Sequence, residues 1–319
     1  MNADGTIYGR FGTRSDEKDA MRNISMEGFA KALEAALELH KNYPRNKDAL
    51  AGKKPTAPRV KVPEEYPSLS HFKPTLDYEG KVVQSCMHCH QIRDAERQVL
   101  RKASQPFPDD VMFPWPMPDV VGLSLDPKEK AKVVSVSRGS SAEKGGFQAG
   151  DEILTLAGQP ILSIADVQWV LQAAKEPVKI PAQVSRGRRK FDLTLALDKG
   201  WRRGSDISWR VTTWDLRRMT TGGILLEDLP AEDRRKTGLA DTALALRAKH
   251  VGEYGEHAVA KKAGFKKGDI LIAFDGRTDH MTESELIAYV LQTAKPAGRQ
   301  IPTTVLRGEQ RLELKLPLQ

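Results

Sequence analysis

Phe191, Leu193, Leu195 and Leu197 fall at every second position of one run, the period of a strand with one face inward. Upstream of it, Ile153–Leu156 reads as another strand, entered through the turn pair Gly150-Asp151 and left through Ala157-Gly158. Between these strands, Val167, Val170 and Leu171 sit at helical spacing and predict a helix over Ile164–Ala173. Two short strands come first, in Gly122–Leu125 and Ala131–Val136. The whole order then returns. Phe147 and Phe265, Gly150 and Gly268, Asp151 and Asp269, and Gly158 and Gly276 are each 118 residues apart. The stretch VLQAAK at 170 recurs as VLQTAK at 290, and SRG at 185 as LRG at 306. Elements that keep their order while the offset drifts by small loop insertions describe a duplicated domain.

Nearer the N-terminus, residues 4–12 read as a glycine-bounded strand. Ser25 caps a predicted helix over Met26–Asn42, with Phe29, Leu33, Ala36 and Leu37 on one face. A proline-rich linker follows, and then a helix from about Asp77 to Ala103 carrying Val83, Ile92, Val99 and Leu100. Phe107, Met112, Phe113, Trp115 and Met117 crowd the next stretch, as a cover for a flat apolar ligand or as an anchor for the next domain. Trp201, Trp209 and Trp214 alternate with arginines in a connector between the copies, read as strand-like and packed between domains rather than as a nucleic-acid platform.

The fold class is therefore α+β: two copies of a β-sandwich or barrel with short helices, preceded by a helical segment and a strand-helix piece. The expected divisions are 1–43, a linker at 44–67, a segment at 68–118, the first copy at 119–199, a connector at 200–221 and the second copy at 222–319. With 319 residues, 39% of them hydrophobic and 29% charged, the composition is globular. The net charge of +8 is spread among acids, so a solvated basic surface is expected and nucleic acid is not. No apolar run approaches the ~18 residues of a membrane span. The first residues are polar, without a signal sequence.

The chemistry sits at Cys86-Met87-His88-Cys89-His90, which holds both cysteines of the chain. On a continuous helix Cys86, Cys89 and His90 would share a face. A structural metal site, a redox pair and a plain disulfide are the rival readings. No Gly-x-Ser-x-Gly occurs and no Ser/His/Asp set stands out, so binding rather than peptide cleavage is expected.

Three resemblances follow. The Cys86–His90 motif resembles the haem-attachment segment of c-type cytochromes. That implies covalent haem c on Cys86 and Cys89, His90 as proximal iron ligand, and Met117 or His71 as the distal one. It also implies electron transfer or redox sensing with a redox partner protein, outside the cytoplasm, in a periplasmic or secreted protein whose signal sequence lies upstream of this chain. The stretch GSSAEKGGFQAGDEILTLAGQPI is similar to the PDZ domains of bacterial envelope proteases. It implies grooves for protein or peptide C-termini, formed by Val121, Gly122, Leu123, Ser124 and Leu125 in the first copy and by Gly223, Ile224 and Leu225 in the second. The N-terminal strand and helix resemble the tail of a thioredoxin-like domain, which implies a fragment of an oxidoreductase. The alternative to the haem protein is a non-redox scaffold.

Overall fold

A computed structural model describes residues 1–15, 20–55 and 57–319. Residues 16–19, within the expected strand-helix piece, and Thr56, within the expected linker, lie outside the described residues. Helix α1, Met26–Lys41, forms where Ser25 predicts it, with Ser25 Oγ accepting the Gly28 N–H at 2.9 Å. The face it buries is not the one its apolar stripe suggests. Gly28 and Ala32 are buried, whereas Phe29, Leu33 and Leu37 are exposed. Close approach selects the small residues: a Cβ on Gly28 would lie 2.1 Å from the Pro127 carbonyl oxygen. Residues 4–12 form no strand. The proline-rich stretch is not a free linker, since Leu50, Lys53 and Tyr66 in it are all buried.

The long helix expected across Cys86–His90 is two helices. The first, α2, covers Val82–Ser85, and Cys86 beyond it is extended, with ψ 125°. The second, α3, covers Cys89–Lys102 and starts on His88, whose N–H donates to Gln91 Oε1 at 2.7 Å. A short helix α4, Asp109–Met112, completes this region.

The first copy runs β1 (Leu123–Leu125), β2 (Val133–Val136), α5 (Ser141–Lys144), β3 (Glu152–Leu156), β4 (Gln159–Pro160), α6 (Ile164–Ala173), β5 (Val178–Arg186) and β6 (Arg189–Leu197). Strands β1 and β2 pair, and β4-β3-β5-β6 form a second sheet. Phe147, Ile153, Val167, Val170, Leu171, Leu195 and Leu197 share one buried cluster with Leu123 and Leu125.

The connector is not a strand: its C-terminal part is helix α7, Thr213–Thr221. The second copy then follows as β7 (Ile224–Asp228), α8 (Ala231–Thr237), β8 (Leu246–Val251), α9 (Val259–Lys262), β9 (Ile270–Phe274), α10 (Glu283–Gln292), β10 (Gln300–Arg307) and β11 (Gln310–Pro317). Its sheet has the order β11-β10-β9-β8-β7.

The copies agree in detail. Each has a bulge at the same place in its first pair, between Ser124 and Leu125 and between Leu225 and Leu226. Each enters its third strand on a buried aspartate. Asp151 accepts the Gln148 N–H at 2.9 Å and the Arg186 fork at 2.7 and 2.9 Å. Asp269 accepts the Lys266 N–H at 2.9 Å and the Arg307 fork at 2.7 and 2.7 Å. The two arginines also donate to the carbonyls of Gly146 and Gly264. A bidentate guanidinium thus ties the turn to the hairpin in both.

The chain divides into two compact units, 1–57 with 113–205, and 58–112 with 206–319. The N-terminal stretch belongs with the first copy, and the Cys86–His90 stretch with the second.

Candidate peptide-binding site

An antiparallel strand turns alternate backbone groups to its two sides. Ser137 N–H donates to the Gly122 carbonyl at 2.9 Å, so Gly122 faces β2. Leu123 and Leu125 then turn their N–H and C=O groups to the other edge of β1. In the second copy Gly252 N–H donates to the Gly223 carbonyl at 3.0 Å, and by the same alternation Ile224 and Leu226 face outward from β7. These outer edges are where an added peptide strand would pair.

Both edges begin on a glycine that must be one. Gly122 and Gly223 each have φ +90°, and a Cβ would lie 2.2 Å from Ser140 Oγ in the first and 2.1 Å from the His257 carbonyl oxygen in the second. The glycine amides, however, are used inside the loops. Gly122 N–H donates to the Asp119 carbonyl at 2.8 Å, and Gly223 N–H to the Arg217 carbonyl at 3.1 Å. Val121, Leu123 and Leu125 are buried, and Ser124 is exposed.

The surroundings of the edges differ. In the second copy Glu283 Oε1 accepts the Leu226 N–H at 2.7 Å, and Thr221 Oγ1 donates to the Ile224 carbonyl at 2.8 Å. Glu283 is held by the Arg217 fork at 2.9 and 2.6 Å, and both side chains are buried. Burial pushes the Glu283 carboxyl up, and Arg217 opposes this. In the first copy Val120, two residues before Gly122, stands where Thr221 stands before Gly223. When Val167, Val170 and Leu171 are matched to Ile287, Val290 and Leu291, Ser163 takes the place of Glu283. Its hydroxyl accepts the Ala165 N–H and donates to the Arg10 carbonyl.

Segments outside the duplicated domain brace α6. Asp166 is fully buried, 2.9 Å from Lys53 Nζ, and accepts the N–H groups of Arg10 and Leu162. Burial raises the Asp166 carboxyl and lowers the Lys53 ammonium, each opposed by its partner. The Arg10 guanidinium lies 3.5 Å from the Trp169 ring centroid. Gln168 Nε2 donates to the Trp115 carbonyl at 2.8 Å, and Trp115 N–H to Gln172 Oε1 at 2.5 Å.

The residues assigned to haem are not brought together. Cys86 lies in the extended break and Cys89 opens α3, so the two thiols and His90 do not share one helix face. His90 stacks on His88, with ring centroids 5.4 Å apart. His71 packs on Phe72. Met117 belongs to the core of the first copy, where its sulfur accepts hydrogen bonds from Thr13 and Gln168 at 3.3 and 3.2 Å. No group of three or more His, Cys, Asp or Glu among the described residues could hold a metal ion.

A family model for the PDZ domain matches residues 132–181. Residues 132–181 are a PDZ domain. The matched stretch runs from the start of β2 into β5 and so contains α6, but reaches neither the Cys86–His90 segment nor the N-terminal piece. Curated relatives include two proteins named as probable periplasmic serine endoproteases, DegP-like. That from Pseudomonas putida is 26% identical over 149 residues, 47% of this chain and 30% of the relative. That from Pseudomonas savastanoi pv. phaseolicola is 26% identical over 185 residues, 58% of this chain and 36% of the relative. The chain thus spans about a third of the length of the curated relatives it matches. A crystal structure of the serine endoprotease from Yersinia pestis is 22% identical with a TM-score of 0.23, over 24% of this chain and 28% of that one.

These findings correct the haem reading. The relatives are serine endoproteases, whose chemistry needs no haem, and the Cys86–His90 geometry does not fit the group. Haem c, iron ligation, electron transfer and a redox partner are withdrawn together. The periplasmic location fits the names of the relatives, and among the described residues no helix is long and apolar enough to cross a membrane.

Proposed function

We propose that this chain recognises peptides through its first PDZ domain, by adding an extended strand to the outer edge of β1, in the periplasm. The observation that supports this is the backbone alternation set by the Ser137–Gly122 bond, which turns the N–H and C=O groups of Leu123 and Leu125 to the outer edge, while Val120 and Ser163, at the positions matching Thr221 and Glu283, carry no carboxylate. The role is selection of protein segments, as PDZ domains offer. The curated relatives are named as probable periplasmic serine endoproteases, and a module of this kind would select chains for such an enzyme.

Because Gly122 N–H is already committed to Asp119, main-chain pairing rather than capture of a terminal carboxylate carries the affinity. One short strand gives micromolar binding, on the order of 1–100 μM. Titrating the full chain with a fluorescent decapeptide tests this. N-methylation at alternate peptide positions, those facing β1, should abolish binding, and methylation at the intervening positions should leave it. Amidation of the C-terminus should weaken it less than about tenfold. Equal tolerance of methylation at every position would sink strand addition. A much larger loss on amidation would return the carboxylate to the centre of recognition.

A further inference from the structure

We propose that the outer edge of β7 in the second copy is a latent strand-addition site for extended peptides, plugged by the chain's own Glu283 and Thr221. Glu283 Oε1 accepts the Leu226 N–H at 2.7 Å, and the Thr221 hydroxyl donates to the Ile224 carbonyl at 2.8 Å. One donor and one acceptor of the pairing edge are therefore satisfied by side chains doing what a peptide backbone would do. A carboxylate oxygen and a peptide carbonyl are both acceptors for a strand amide, so plug and peptide compete for the same N–H.

The plug is built rather than incidental. Glu283 opens α10 behind the Thr282 N-cap and is gripped by both arms of Arg217, which also donates to the Ser208 carbonyl at 2.6 Å. Thr221 ends α7, the same helix that carries Arg217. A peptide can enter only if Glu283 swings away from Leu226, and Arg217 makes that costly because it would leave a buried charge unpaired. The first copy has Val120 and Ser163 at these places, so the same fold occurs without this plug.

The test is a count of peptide sites. Arg217→Met, Glu283→Leu and Thr221→Val together remove the plug without leaving an orphaned charge. The full chain is titrated calorimetrically with a decapeptide ending in three apolar residues. The expected result is one site in the unaltered chain and two in the variant. An unchanged count in a folded variant overturns the proposal. A rise from none to one would support it while refuting peptide binding at β1, so the two readings fail separately. If the variant does not fold, amide exchange in the unaltered protein decides. Leu226 N–H should exchange as slowly as the paired amides of β8 and β9, and exchange at the rate of an unprotected edge amide would overturn the plug.

Discussion

Each copy buries one carboxylate in the first turn of its ten-residue helix, α6 or α10, and the two solve the resulting charge problem differently. In the first, Asp166 of α6 meets Lys53, which comes from the far N-terminal stretch. In the second, Glu283 of α10 meets Arg217 of α7, the helix just before the copy begins. The arginine pair closes a strand edge, whereas the lysine pair fastens the N-terminal stretch to a helix. A duplicated fold thus keeps its turns and core while the segments outside it decide which surfaces remain usable. The shared parts are the Asp151–Arg186 and Asp269–Arg307 staples and the two glycines at positive φ, Gly122 and Gly223.

The comparison breaks most visibly when one partner of a buried pair is removed. Arg217→Met should destabilise the second unit by about 3–5 kcal/mol, because the Glu283 charge stays behind unpaired, and Lys53→Met the first unit by less, because Arg10 still faces Asp166 at 4.0 Å. Replacing Asp166 by Leu alongside Lys53→Met should restore most of the loss. Urea unfolding followed by tryptophan fluorescence measures both, and a loss under about 1 kcal/mol would mean that these pairs are better hydrated than their burial implies. Next come the staples. Asp151→Ala and Asp269→Ala should each cost about 2 kcal/mol, the worth of charge-assisted hydrogen bonds to a half-exposed arginine. Unequal costs would show that the duplication is looser than its geometry.

A smaller effect sets the second unit apart through pH. Burial, reinforced by Asp215, pushes the Asp94 carboxyl from 3.8 up to about 6. The folded chain therefore holds this proton more tightly than the unfolded one. Stability from Asp94 is full below about pH 4, falls as pH rises to about 6, and stays lost above it. Asp94→Asn should stabilise the protein at pH 7.5 by about 1 kcal/mol after solvent screening, and by little at pH 4. A gain independent of pH would assign the effect to packing instead. The smallest change expected is for Cys86→Ser with Cys89→Ser, within about 0.5 kcal/mol, since Cys89 is exposed and Cys86 half-buried. Loss of the second unit's unfolding transition in that variant would give the pair a structural role.

The duplicated part was readable because its signals are local. Gly150-Asp151, Gly268-Asp269 and the helix pattern of Val167, Val170 and Leu171 dictate conformation within a few residues. The errors came where packing decides. The apolar stripe of α1 predicts a buried face, but the buried residues are Gly28, which lies against the Pro127 carbonyl, and Ala32. The break within Cys86–His90 leaves little trace in the sequence because histidine is a weak starting signal, and the His88 N–H donating to Gln91 Oε1 marks the start of α3. The plug was invisible because Glu283 and Leu226 are 57 residues apart. A buried arginine in α7 facing an acidic first turn in α10 was the one available hint, and it needs the fold to be read.

The Lys53–Asp166 pair also bears on how the PDZ domain can be isolated. A fragment beginning at residue 119 contains every strand of that domain but discards Lys53 and Arg10, the cations that face Asp166. The same cut removes Gly9, Arg10 and Lys53, the residues that cover Asp166, so its carboxylate would lose its cations and gain water. Such a fragment would keep its own core but bare the side of α6 that carries Asp166 and Trp169. The limits of the domain as a folding unit are thus set by what covers α6 as well as by its strands.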